Sequence, residues 1–186
     1  MKAGARMEIR IGGTGGQGLI LSAKMLADAL ANAGKRVAQS QTYEPTSRGG
    51  FCNSDLVVSD DEVDYPLATA LDCLVLLDRM AVEPSWPLLK LGALVIADTR
   101  LCPEVPADGH RCHHLPLTRT AIELGSERVA NIVALGALAE LGSLCDRKAL
   151  EAAVRGETPK AYLDLNMDAL AAGYKLAAGA SVAAAT

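Results

Sequence analysis

Glu8-Ile-Arg-Ile-Gly-Gly-Thr-Gly-Gly-Gln-Gly18, running into Leu19-Ile-Leu-Ser-Ala-Lys-Met-Leu-Ala27, decides the fold class. An apolar run, a glycine turn and apolar residues at helical spacing read as a strand, a tight turn and a helix N-terminus. Backbone N–H groups and the helix dipole at such a start can hold an anion. Tyr43-Glu-Pro-Thr-Ser-Arg-Gly-Gly50 is a second glycine loop, carrying a proline and an arginine, at the end of the next expected strand. In an open α/β sheet both loops are expected at the carboxyl ends of neighbouring strands, where ligands bind.

The first strand is expected over 8–12, a helix over 19–33 stopping at Gly34, and a second strand over 35–41. Phe51–Ser59 reads as a strand of antiparallel sense, and Asp60–Pro66 as an acidic, solvated turn. Leu71–Leu77 and Ala93–Ala97 are short, continuously apolar runs that suit buried parallel strands. Pro84 and Pro87 lie between them, so the intervening helix is expected to be short or broken. Residues 101–117 hold three prolines and all three histidines, and read as a long surface connection. From Thr118 onward the pattern is helical: 118–124, 128–141, 146–154 and 160–176. Asp146 suits an N-cap, and Thr158 with Pro159 at the first helical position suits the start of the last helix. The expectation is one α/β domain over 8–178, Rossmann-like, with a mostly parallel sheet flanked by helices. Residues 1–7 are expected to be disordered and the small-residue tail 179–186 frayed.

A chain of 186 residues is long enough for one sizeable core. With one Trp, one Phe and four Tyr, that core must be filled by Ala, Leu, Val and Ile. The net charge of −4 provides no basic field for nucleic acid or an anionic membrane. No apolar stretch has the length of a bilayer span, and Met1-Lys-Ala-Gly-Ala-Arg6 has no signal-peptide hydrophobic region behind it. A cytoplasmic protein is expected. Cys52, Cys73, Cys102, Cys112 and Cys145 are odd in number and contain no Cys-x-x-Cys pair. That scatter fits a reduced compartment and argues against an iron–sulfur cluster in this chain.

Gly13, Gly15 and Gly18 match the dinucleotide fingerprint Gly-x-Gly-x-x-Gly, which alone is a weak signal. The acidic residue that should grip a ribose is missing, because the second strand ends Val37-Ala-Gln-Ser-Gln41. A Walker loop is excluded, since no Lys-Ser/Thr pair follows Gly18. The glycines also fit a tight turn with close helix packing and no ligand. Gln17 favours a functional turn, because its amide is free to bond a ligand or a neighbouring chain. Arg48-Gly49-Gly50 sets a bidentate donor beside two permissive backbone positions, an anion-binding combination, unless Arg48 is spent on Glu44. His110-Arg-Cys-His-His114 with Cys102 has soft ligands but no zinc spacing, and reads as a solvated loop. Asn131 stands at the start of an apolar helix, where it caps that helix or a neighbour.

Four segments together resemble the gamma subunit of the 2-oxoacid:ferredoxin oxidoreductases, in the pyruvate/ketoisovalerate family. They are Gly13–Gly18, Tyr43–Gly50, Ser54-Asp-Leu-Val-Val-Ser-Asp60 and Asn131-Ile-Val-Ala-Leu-Gly136. The acidic turn into Asp64-Tyr65-Pro66 is closest to the 2-oxoglutarate type, and the resemblance spans residues 8–178. Glu44 departs from the pattern, where many members carry glycine.

The resemblance implies a complex that decarboxylates a 2-oxoacid, passes electrons to ferredoxin and delivers the acyl group to coenzyme A. It implies alpha and beta partner subunits, with a delta subunit as an optional further one. Thiamine diphosphate, magnesium and iron–sulfur clusters are implied for those other chains. For this chain it implies no catalytic residue and no metal. It points to Gly13, Gly15, Gly16, Gln17, Gly18, Tyr43, Arg48, Gly49 and Gly50 as facing coenzyme A or the subunit interface. The alternatives are the small subunit of an indolepyruvate enzyme, which shares Gly-Gly-Gln-Gly, and a free-standing dinucleotide-binding dehydrogenase.

Overall fold

Ile9 and Ile11 alternate with Glu8 and Arg10 in β1 (Met7–Thr14), so the strand sends apolar side chains to one face and charged ones to the other. A computed structural model describes residues 6–44, 49–63, 65–106 and 109–180. Six strands form its sheet, in the order β2-β3-β1-β4-β5-β6. The others are β2 (Arg36–Tyr43), β3 (Phe51–Ser59), β4 (Leu71–Leu76), β5 (Leu89–Asp98) and β6 (Arg111–Leu115). Pairing is parallel from β1 through β4 and β5 to β6, whereas β3 runs antiparallel to both β1 and β2.

The apolar face carries nearly all the helices. α1 (Leu19–Asn32) and α4 (Ala130–Gly142) lie against the sheet, backed by α5 (Arg147–Glu157) and α6 (Leu163–Ala178), with α3 (Leu117–Glu123) beside α4. Sandwiched between strands and α6, α4 is buried continuously from Asn131 to Ala139, as its unbroken apolar sequence requires. The two helices touch backbone to backbone: a Cβ on Gly173 would lie 3.0 Å from the Gly136 Cα. The other face is covered by a broken helical segment, in which α2 (Val82–Ser85) stands between 3₁₀ turns at Arg79–Ala81 and Trp86–Leu88. Pro84 and Pro87 account for the interruption. Under it lies a smaller cluster of Leu71, Leu74, Leu76, Ala81, Val95, Ala97 and Cys102.

Arg10 on β1 is registered directly opposite Asp55 on β3 on this second face. Their side chains meet in a two-pronged ion pair, Nε to Oδ1 at 2.8 Å and Nη2 to Oδ2 at 2.7 Å. Nη1 also donates to the Pro84 carbonyl at 3.2 Å and to Ser85 Oγ at 3.3 Å, and Asn53 donates to Asp55 Oδ1 at 2.8 Å. The pair therefore ties β1, β3 and the α2 segment together. Below it, Glu8 accepts from the N–H groups of Thr69 and Ala70 and from Arg6. Burial works against ionisation of Glu8, but those donors outweigh it and hold its pKa below the usual value.

Three sequence expectations change. The strands that precede the two glycine loops are not neighbours, because β3 is inserted between β1 and β2. Residues 101–117 are not all surface connection: Arg111–Leu115 forms the edge strand β6, and His113 is buried. Its exposed residues, Arg111 and His114, are three apart and follow no two-residue period, which is why the segment reads as loop. Pro159 does not open the last helix; it precedes a 3₁₀ turn at Lys160–Tyr162, while Thr158 accepts a hydrogen bond from Asn166. Asp146 does cap α5, accepting from the Lys148 N–H. Asp64 and the tail beyond Ala180 lie outside the described residues.

Two outcomes follow. Asp55→Ala strands the buried Arg10 guanidinium and should cost about 3–5 kcal/mol in urea unfolding, with Asp55→Asn costing less. Burial, aided by the charge of Arg111, holds the His113 pKa below 6.5. The unfolded chain then binds a proton that the folded chain resists, so stability is fully present above about pH 6.5 and falls as pH drops through the folded pKa. His113→Gln should flatten the stability loss between about pH 7 and 5; an unchanged slope would remove His113 from the account.

Candidate functional site

At the carboxyl end of β1 the chain turns through Thr14-Gly-Gly-Gln-Gly18 into α1. Gln17 closes the turn from inside: its Oε1 accepts from the Thr14 N–H at 2.8 Å, and its Nε2 donates to the Leu77 carbonyl at 3.0 Å. Gly13 lies directly under that amide, and a Cβ there would collide with Gln17 Oε1. Gly18 takes a left-handed conformation (φ 73°), and Asn131 Nδ2 donates to its carbonyl at 3.0 Å. A Cβ on Gly18 would come within 2.6 Å of that same nitrogen. Gly15 and Gly16 face open space.

The second glycine loop joins the first through β3. That strand returns the chain so that Phe51 pairs with Thr14, and the Gly15 N–H donates to the Gly50 carbonyl at 3.1 Å. Tyr43 is 65% exposed beside them, and Gly49 is left-handed at φ 78°. Arg48 lies outside the described residues. No side chain caps α1 and no acidic residue stands in its first turn, so its leading N–H groups open onto this edge.

Asp98, fully buried at the end of β5, builds the opposite wall. Its Oδ1 accepts from the N–H groups of Arg100 and Leu101 at 2.9 and 2.8 Å, and its Oδ2 from Thr118 at 2.6 Å. One carboxylate thus fixes both the turn after β5 and the start of α3. Between the walls is a cavity of about 230 Å³, bordered by Gly16, Gln17, Leu77, Leu101, Thr118 and Arg128. A larger cleft of about 600 Å³, lined in part by His113, His114 and Lys175, sits at the far sheet edge beside β6 and the end of α6. Burial, with Asp78 and Asp98 nearby, pushes the Cys102 thiol up to about 11, so it is no nucleophile at neutral pH.

The structure brings Gly13, Gly15, Gly16, Gln17, Gly18, Tyr43, Gly49 and Gly50 to one edge, as anticipated. It changes the part played by two of them. The Gln17 amide is used within the turn and Gly13 serves that closure, which leaves Gly15 and Gly16 as the positions of the turn that face open space. Asn131 caps neither its own helix nor a neighbour, the two uses expected of it: its amide donates to the Gly18 carbonyl at the start of α1 and satisfies no free N–H group there. Asp98 and Arg128 escaped the sequence reading. An acid closing the apolar run Ala93–Ala97 was a usable sign for Asp98, whereas nothing local marks Arg128.

Asn131→Ala removes one of the donors to the Gly18 carbonyl, which keeps those of Ser22, and should lower stability by about 0.5–1.5 kcal/mol in urea unfolding. Gly18→Ala combines backbone strain with a clash against Asn131 and should cost more; the reverse order would mean that the turn readily rearranges.

Comparison with known proteins follows this architecture closely. The family model described as pyruvate ferredoxin/flavodoxin oxidoreductase matches residues 8–176. The 2-oxoglutarate synthase subunit KorC of Methanocaldococcus jannaschii is 36% identical, over 92% of this chain and 94% of its own. The crystal structure of the gamma subunit of keto/oxoacid ferredoxin oxidoreductase from Geobacter sulfurreducens has a TM-score of 0.87 and 37% identity, covering 95% of this chain and 99% of that one. A chain of 2-oxoglutarate:ferredoxin oxidoreductase from Magnetococcus marinus, with 2-oxoglutarate, coenzyme A and succinyl-CoA bound, has a TM-score of 0.84 and 27% identity. The match covers 98% of this chain and 32% of that longer one. On its sequence and its fold alike, this chain belongs to the pyruvate ferredoxin/flavodoxin oxidoreductase family.

Proposed function

We propose that this chain is the gamma subunit of a 2-oxoacid:ferredoxin oxidoreductase of the 2-oxoglutarate type, and that its glycine edge helps to form the coenzyme A site and the subunit interface. The observation that carries the reading is the junction of the two glycine loops, Gly15 N–H on the Gly50 carbonyl, beside a cavity with an arginine in its wall. The near full-length likeness to KorC supports the complex and its 2-oxoglutarate preference. Coenzyme A in the Magnetococcus enzyme supports the ligand.

In this reading the complex decarboxylates the 2-oxoacid, sends two electrons to ferredoxin and transfers the acyl group to coenzyme A. The partner subunits supply thiamine diphosphate, magnesium and the iron–sulfur clusters. This chain's residues suit a supporting part. Among the described residues no three His, Cys, Asp or Glu side chains converge as a metal site. Burial pushes Cys73, Cys102 and Cys145 up to about 11. No helix among them is long and apolar enough to cross a membrane. What the edge does offer is backbone N–H groups and permissive glycines, which suit a phosphate-bearing ligand. A ribose-gripping acid would be misplaced here in any case, because β3 separates β1 from β2.

Tagged and purified from its native host, the chain should bring with it an iron-containing heteromer that reduces viologen given 2-oxoglutarate and coenzyme A. A colourless chain that elutes alone and binds NAD would overturn the proposal. Arg48→Ala should weaken apparent coenzyme A affinity by about 1.5–3 kcal/mol, the worth of a charge-assisted contact. Unchanged affinity together with intact assembly would remove Arg48 from the site.

A further inference from the structure

β2 (Arg36–Tyr43) is the outermost strand on its side of the sheet, eight residues long and exposed along most of its length. Neither proline nor a charged side chain interrupts it from Val37 to Tyr43. Edge strands are normally kept short, or carry charge or proline, because a row of free N–H and C=O groups invites pairing with another chain. The opposite edge follows that rule: β6 has five residues, with Arg111 and His114 exposed. β2 does not.

The ladder shows which of its groups are free. The Glu44 N–H donates to the Phe51 carbonyl at 3.0 Å, one step beyond the Tyr43–Cys52 pair. Opposed residues in an antiparallel ladder alternate between bonded and unbonded pairs. Even-numbered residues of β2 therefore bond to β3, and the N–H and C=O groups of Val37, Gln39, Gln41 and Tyr43 point away from the sheet.

A second antiparallel copy satisfies them when odd-numbered residues face odd-numbered ones. A two-fold axis at Ser40 does this, placing Val37 against the partner's Tyr43 and Gln39 against the partner's Gln41. The same register sets Arg36 opposite the partner's Glu44, and Glu44 opposite the partner's Arg36. Both side chains are exposed, and among the described residues neither forms an ion pair or a hydrogen bond. The neighbouring Asp60 is taken by Lys35 at 2.6 Å. A shift of two residues either way separates the opposite charges. On the helix face the contact of Val37 with the partner's Tyr43 is apolar, and exposed Ile20 stands beside it, its carbonyl accepting from Gln39 Nε2 at 3.1 Å.

We infer that two copies of this chain pair along β2, antiparallel about an axis at Ser40, so that their sheets join into one. Main-chain hydrogen bonds supply the affinity, and the contacts of Arg36 with the partner's Glu44 fix the register. The inference does not depend on which ligand the glycine edge holds.

The full-length chain should sediment as a dimer. Gln41→Pro removes an outward N–H without touching the ladder to β3, and should give a monomer with an unchanged circular dichroism spectrum. Gln41→Ala keeps that N–H and should remain dimeric. Arg36→Glu and Glu44→Arg should each weaken the dimer severalfold, and the two together should restore it. At eight positions apart, about 26 Å along the strand, the swapped charges cannot meet within one chain. Ser40→Cys should cross-link under copper phenanthroline where the wild type does not, because an unbonded pair holds its Cα atoms about 4.5 Å apart, within disulfide reach. A monomeric wild type, a dimer that survives Gln41→Pro, or a double charge swap that fails to restore association would overturn the inference. The heteromer purified from the host with Ser40→Cys should contain the same cross-linked pair; its absence there would assign the β2 edge to a different subunit and refute the inference.

Discussion

The ion pair between Arg10 and Asp55 is the constraint on which the arrangement of the site depends. A strand's side chains alternate, so a slip of β3 by one residue against β1 would turn Asp55 into the apolar core and expose Leu56. The low exposure of both partners, 7% and 5%, makes that slip costly, because either charge would be left buried and alone. Register fixed at Arg10 and Asp55 carries along the ladder to Thr14 and Phe51, and from there to the contact of Gly15 with Gly50. Arg10 also holds the α2 segment through Pro84 and Ser85. One buried guanidinium thus sets the relation of the two glycine loops and the cover over the second face.

The carboxyl edge is assembled from a few polar side chains that bond to backbone groups of its turns. Gln17 serves Thr14 and Leu77, Asn131 serves Gly18, and Asp98 serves three N–H groups at once. Leaving a buried donor or acceptor unmet costs about 1–3 kcal/mol, so these ties hold loops that have little apolar burial of their own. Because the Gln17 side chain is committed inward, the open side of the turn is backbone, at Gly15 and Gly16.

Much of the fold was legible because apolar period and length discriminate well over long elements. The amphipathic run 19–33, the continuous runs at 71–77 and 93–97 and the four C-terminal helices all have observed counterparts, with ends shifted by a few residues. The antiparallel sense of Phe51–Ser59 was also readable. β6 was not, since a five-residue edge strand with Arg111 and His114 on its exposed positions carries no clear period. At the site, the glycines and Asn131 announced themselves by residue type. Gln17 was seen but read as facing outward, because a side chain's direction in a turn depends on acceptors and donors far away in sequence, here Leu77.

What the sequence determined by itself was the strand–turn–helix unit, the helical C-terminal half, the scarcity of metal-binding spacing and, through its motifs, the family. Each is a local property, fixed by the order of residues within one element. Only the tertiary structure decided that β3 would part β1 from β2 and still bring their loops together, that Asp98 would build a wall, and that Arg128 would border the same cavity as Gly16. The physical reason is that these relations join residues up to 113 positions apart, as Gly18 and Asn131 are, and their partners are chosen by register and burial rather than by neighbours in the chain.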